Sequence, residues 1–114
     1  MKVGIDIDTD TKDSPLVKAL RTVGEMIIGT TFTEPGNADI VITDAPSKCL
    51  HYLKQGKHVV QFVFWHHIQR AEGLETAPAY QGRFKIFKLI KDDQYGDCIE
   101  MFAHISAIIK KEEA

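Results

Sequence analysis

The sequence has few cysteines and no long hydrophobic run, and each absence excludes a class of protein. Two cysteines in 114 residues, Cys49 and Cys98, are too few for a disulfide framework. Neither belongs to a metal-binding CxxC pair, so we expect both to be reduced core thiols. No apolar run approaches the roughly 20 residues that cross a bilayer. The N-terminal segment Met1–Asp6 already ends in an acid where a secretory signal would stay apolar, so we expect a cytoplasmic protein.

Net charge is also small, since 14 Lys and Arg stand against 16 Asp and Glu and give a formal net charge of −2. Such a balance excludes a polycation that wraps nucleic acid, and equally an acidic disordered tail. The sequence contains no basic patch interleaved with aromatic residues, so we expect no nucleic-acid partner. Because no apolar run is long enough to cross a bilayer, we also expect no membrane partner. The length fits a single domain over residues 1–114.

Hydrophobic segments with the composition of strands alternate with segments of helical spacing. The predicted strands are Val3–Ile7, Met26–Thr33, Asp39–Thr43, Val59–Trp65 and Phe84–Ile90. Helices are predicted from Pro15 to Gly24, from Pro46 to Gly56, briefly after His67, and from Asp97 onwards. This alternation predicts an α/β fold of three layers, with helices on both faces of an open, mostly parallel, five-stranded sheet.

The connection between the second and third predicted strands is too short for a normal covering helix. It consists of Glu34–Ala38, which includes the turn residues Pro35 and Gly36. Either the second covering helix is reduced or absent, or these two strands pair as an antiparallel hairpin.

Polar residues follow several predicted strands at the edge where ligands bind in open parallel sheets. They are Asp6, Asp8 and Asp10 at the first strand, Asp44 after the third, His66 after the fourth and Lys91 after the last. Carboxylates that converge there repel one another unless a cation lies between them. Their oxygens suit Mg²⁺, and His66 would admit Zn²⁺ or Mn²⁺. A lysine opposite the acids would hold an anionic phosphoryl oxygen.

This pattern resembles the response-regulator receiver family, in which an acidic pair closes the first strand, a phosphate-accepting aspartate the third and a lysine the fifth. The resemblance implies a flavodoxin-like sheet of order 2-1-3-4-5 and a signalling or binding module with a protein partner. It also implies roles for single residues: Asp8, with Asp6 or Asp10, holds Mg²⁺, Asp44 accepts the phosphoryl group and Lys91 stabilises it. Trp65 and His66 stand where the family has serine or threonine, so a degenerate receiver that signals without phosphorylation is an equal interpretation.

Two other resemblances use the same residues. The segment Gly4–Asp8 is similar to the DxD motif of haloacid-dehalogenase-type phosphatases, which implies Asp6 as nucleophile and Asp8 as acid and base. Thr43, Lys57 and Asp93–Asp97 match that family's later motifs. The segment Ala38–Val60 is similar to the later half of a nicotinamide-dependent Rossmann domain, but aspartates replace the glycine-rich phosphate turn and disfavour a dinucleotide.

Two alternatives need no chemistry at this edge. The chain could be an α/β domain that uses its fold only for protein contacts. Asp44 could act only as the cap of the helix that Pro46 opens, because aspartate is a favoured capping residue.

Overall fold

The fold is an α/β arrangement, as the computed structural model shows for residues 1–7, 15–29, 31–63, 77–88 and 94–113. The strands in these ranges are β1 (Val3–Asp6), β2 (Ile40–Thr43), β3 (His58–Val63) and β4 (Phe84–Lys88). The helices are α1 (Pro15–Ile28), α2 (Pro46–Lys54) and α3 (Gln94–Glu113). Two single-turn 3-10 helices cover Pro35–Asn37 and Pro78–Tyr80.

The four strands pair in parallel in the order β1-β2-β3-β4. The strand β2 is buried along its whole length, as a strand covered on both faces must be. The α/β class and the parallel sheet predicted from the sequence are therefore confirmed. Of the five predicted strands, four lie in this sheet, and they begin or end within a few residues of their predicted bounds.

Helices cover both faces of the sheet because successive side chains of each strand point to opposite sides. On one face, Val3, Ile40, Ile42, Val60 and Phe62 pack with α1 and α3, which contribute Leu20, Met101, Phe102 and Ile105. On the other face, Val41, Val59 and Phe84 pack with α2, which contributes Cys49, Tyr52 and Leu53. The two clusters form the core, and they place α1 and α2 on opposite sides of the sheet.

The predicted strand over Met26–Thr33 is wrong for its first residues, because α1 continues through Ile28. Gly24 does not end the helix. A Cβ atom there would lie 2.5 Å from the ring of Phe32 and 2.6 Å from that of Phe102, so glycine allows these rings to approach the helix. The helix ends at Gly29, whose φ of +74° suits glycine and whose amide donates to the carbonyl of Glu25.

The short connection before β2 crosses over β1. Thr33 forms a parallel bridge with Gly4, on the edge of β1 that faces away from β2. The chain then passes over Gly4 as the 3-10 helix Pro35–Asn37, and a Cβ atom on Gly4 would lie 3.0 Å from the Cα atom of Pro35. The predicted reduction of the second covering helix is thus seen as one 3-10 turn. The alternative, an antiparallel hairpin of the second and third predicted strands, is wrong for the described residues, because Thr33 pairs with Gly4 in parallel.

The short helix predicted after His67 lies outside the described residues. None of the described helices combines the length and the hydrophobicity that a membrane crossing requires.

Candidate functional site

A row of polar side chains crosses three strands at the carboxyl edge of the sheet. The register aligns Asp6 of β1 with Thr43 of β2, and Thr43 with Gln61 of β3. Asp6 faces α2, because it contacts Tyr52 on that helix. Thr43 and Gln61 share this face, since they lie two residues beyond Val41 and Val59, which pack under α2. Both side chains are fully buried, so three polar groups lie side by side beneath α2.

Lys48 of α2 connects Asp6, the last residue of β1, with Asp44, which follows β2. Its Nζ atom lies 3.3 Å from Oδ1 of Asp6 and 3.6 Å from Oδ1 of Asp44. The side chain of Asp44 is 8% exposed, against 31% for Asp6 and 26% for Lys48. A buried carboxylate is favoured by a neighbouring cation or by hydrogen-bond donors. One ammonium group thus contacts two carboxylates at this edge of the sheet.

Tyr52 fixes the other oxygen of Asp6. Its hydroxyl donates a 2.6 Å hydrogen bond to Oδ2, from the helical turn that follows Lys48. Burial raises the pKa of Tyr52 to about 12, and the hydrogen bond to Asp6 and the charge of Asp6 act in the same direction. Tyr52 thus remains a hydrogen-bond donor at neutral pH, and both carboxylate oxygens of Asp6 have partners on α2.

The backbone of Asp44 is held by the neighbouring strand. Gln61 donates from Nε2 to the carbonyl oxygen of Asp44 at 3.0 Å. The hydroxyl oxygen of Thr43 is buried and forms no hydrogen bond within the described part of the chain. Thr43 is therefore a buried polar group at the centre of the row, between Asp6 and Gln61.

The structure brings together two of the residues predicted for the site. Asp6 and Asp44 meet at Lys48, whereas Asp8, Asp10, His66 and Lys91 lie outside the described residues. Asp44 does not hold the capping position predicted for it, because the N-cap of α2 is Ala45, which has no side-chain acceptor.

Sequence reasoning missed Lys48, Tyr52 and Gln61. The spacing of Asp44, Lys48 and Tyr52 by four residues would place all three on one side of a helix that starts near Asp44. That was the available signal.

Lys57 does not belong to this site, which corrects its match to a phosphatase motif. It precedes β3 at the amino edge of the sheet, whereas Asp6 ends β1 at the carboxyl edge. Its Nζ atom donates to the carbonyl oxygens of Gly36 and Ala38.

Cys49 lies next to Lys48 in the sequence but is not a nucleophile for this site. Its thiol is free and fully buried. Burial raises the pKa of Cys49 to about 12, and the charge of Asp44 adds to this effect. Since the thiolate is the reactive form, Cys49 is an inert core residue at neutral pH.

The carboxylate oxygens at this edge of the sheet suit a hard cation, but they already contact the ammonium group of Lys48. Asp6 and Asp44 supply carboxylate oxygens, the ligands that Mg²⁺ prefers. Among the described residues, there is no group of three or more His, Cys, Asp or Glu side chains that could hold a metal ion together. The ammonium group of Lys48 lies between the two acids. The two carboxylates could hold Mg²⁺ once Lys48 leaves them.

Comparisons with protein-family models, with curated proteins and with solved structures gave no match. A function for this chain is therefore inferred from the geometry of the site.

Proposed function

We propose that this chain is a receiver-like signalling module in which Asp44 accepts a phosphoryl group. The observation that supports this most is the convergence of Asp6 and Asp44 on the ammonium group of Lys48. Two acids at the carboxyl ends of neighbouring parallel strands, with a lysine from the helix above them, are the groups that such a transfer needs. They can bind a cation and an anion at one point.

The chain connectivity supports the same proposal. The helix after β1 lies on one face of the sheet and the helix after β2 on the other. Since crossovers between parallel strands are nearly always right-handed, helices on opposite faces imply that the chain leaves β1 and β2 in opposite directions. This change of direction creates a crevice for ligands between the two strands. We propose a flavodoxin-like order in which Thr33 takes the place of the outer strand beside β1.

In the proposed reaction, a carboxylate oxygen of Asp44 forms a bond to the phosphorus of a phosphoryl donor, and the donor's leaving group departs with its bonding electrons. Mg²⁺, held by Asp6 and Asp44, would neutralise charge on the transferred group. Lys48 is the lysine that contacts Asp44, and it would face the phosphoryl oxygens. The sequence assigns this role to Lys91, which remains a proposal, as does the contribution of Asp8.

Function in this proposal requires a protein partner that donates the phosphoryl group or responds to it. The helix α2 is the element through which a partner would sense the site, because it carries both Lys48 and Tyr52. A change at Asp44 would therefore act on the side of the sheet that α2 covers.

The test uses beryllofluoride, a stable mimic of a phosphoryl group on a carboxylate, with amide spectra recorded in saturating Mg²⁺. We expect signals of β2 and α2 to shift in the wild-type chain, and the shift to disappear in Asp44→Asn. Asp39→Asn is the matched control, because Asp39 lies at the opposite end of β2 and accepts a hydrogen bond from the amide of Lys2.

Other results would exclude phosphoryl acceptance at Asp44. An unchanged wild-type spectrum in beryllofluoride and Mg²⁺ would leave the module to act only through protein contacts. Hydrolysis of a phosphomonoester that is lost in Asp6→Asn and kept in Asp44→Asn would identify a phosphatase instead.

A further inference from the structure

Lys48 occupies an unusual place for a lysine. It is the third residue of α2, in the first turn, where the backbone amides already create a positive potential. A cation is disfavoured at that end of a helix. Its position must be favoured by other groups, and the two carboxylates are the ones that it contacts.

The two carboxylates also favour a cation beside them. Asp44 is almost completely buried, and Asp6 is directed towards α2 by the hydrogen bond from Tyr52. The buried hydroxyl of Thr43 lies in register with Asp6 on the same face and has no hydrogen-bond partner among the described residues. It offers one more oxygen to a cation placed between the two acids.

We propose that Lys48 is an internal counter-ion that competes with a divalent cation for Asp6 and Asp44. This inference rests on the proposed function in one respect, that this edge of the sheet is the place for a metal ion. The ammonium group stabilises the metal-free state, and a metal ion binds only when Lys48 moves away. Lys48 thus sets the metal concentration at which the site becomes competent.

The test measures the binding of Mn²⁺ and Mg²⁺ to Lys48→Met, in which an uncharged side chain of similar shape replaces the lysine. We expect Mn²⁺ to bind Lys48→Met about tenfold or more tightly than the wild-type chain, because the competing ammonium group is gone. We also expect Mg²⁺ to raise the unfolding temperature of Lys48→Met more than that of the wild type.

Two control variants separate this effect from a general loss of positive charge. Lys54→Met removes an exposed lysine from the same helix and should bind Mn²⁺ like the wild type. Lys48→Met with Asp44→Asn should lose the added affinity, because one carboxylate ligand is gone. If Lys48→Met binds Mn²⁺ no more tightly than Lys54→Met, the proposal is wrong.

A measurement on the wild-type chain covers the case in which Lys48→Met does not fold. Reductive methylation, followed residue by residue, should modify Lys48 more slowly than Lys54 without metal, and Mg²⁺ should accelerate the modification of Lys48 alone. Equal rates with and without Mg²⁺ would overturn the proposal. A chain that gains metal affinity in Lys48→Met but never responds to beryllofluoride would contradict the proposed function and leave the role of Lys48 intact.

Discussion

The hydroxyl of Tyr52 donates a 2.6 Å hydrogen bond to Oδ2 of Asp6 and so joins α2 to the last residue of β1. Tyr52 is 8% exposed and lies in the core cluster beneath the helix. The same side chain therefore fills the core with its ring and orients an acid of the site with its oxygen. Stability and site geometry are coupled at this residue.

Tyr52→Phe should lower the free energy of unfolding by about 1.5–3 kcal/mol, the usual range for a hydrogen bond to a charged group. The ring stays in place, so the loss reports the hydrogen bond rather than a cavity. Urea unfolding at neutral pH measures it. Tyr80→Phe is the matched control, since Tyr80 lies in the 3-10 helix that precedes β4. Equal stability of Tyr52→Phe and the wild type would show that the bond contributes nothing.

The sequence allows part of this site to be predicted. Acids that follow hydrophobic runs stand at strand ends, and parallel strands bring those ends to one edge, so Asp6 and Asp44 could be placed together. The spacing of four residues groups Lys48 and Tyr52 with Asp44. It does not show that this side of α2 lies over Asp6, because that depends on the direction in which the helix crosses the sheet. A lysine on a short amphipathic helix is more often a solvated surface residue.

The fold class was predictable for a similar reason, and the end of α1 was not. Alternation of strand and helix patterns is a property of the whole chain, whereas the residues Met26–Ile28 have a composition that suits either structure. Tertiary packing decides between them. The rings of Phe32 and Phe102 lie against Gly24, so this glycine makes room for two core side chains within the helix.

Gly24→Ala should therefore destabilise the chain by about 1–3 kcal/mol, the range for overpacking in a core. Helix propensity alone predicts the opposite sign, because alanine is more favourable than glycine in a helix by about 1 kcal/mol. Thermal or urea unfolding gives the sign of the change in the free energy of unfolding. Gly36→Ala is the control, because a Cβ atom on Gly36 meets nothing within 4 Å. A more stable Gly24→Ala would mean that the two rings move aside freely.

Two histidines lie where α3 packs against the sheet. His58 begins β3, and its Nε2 atom lies 3.9 Å from a carboxylate oxygen of Glu112. Burial lowers its pKa, which Arg83 lowers further while Glu112 and Asp39 raise it. The ring of His104 on α3 lies 5.5 Å from that of Phe87. Burial also lowers the pKa of His104, and the charges of Lys85 and His58 add to this effect.

These shifts predict that acid weakens the packing of α3. Both histidines are neutral in folded and unfolded chains above the unfolded pKa of 6.5, so their contribution is complete there. Below that value the unfolded chain binds protons first, and stability falls until the pH passes the lowered folded pKa. Urea midpoints measured against pH should decline less steeply in His58→Gln with His104→Gln than in the wild type. His51→Gln, an exposed position on α2, should keep the wild-type slope. If the double variant also keeps that slope, the carboxylates alone explain the acid sensitivity.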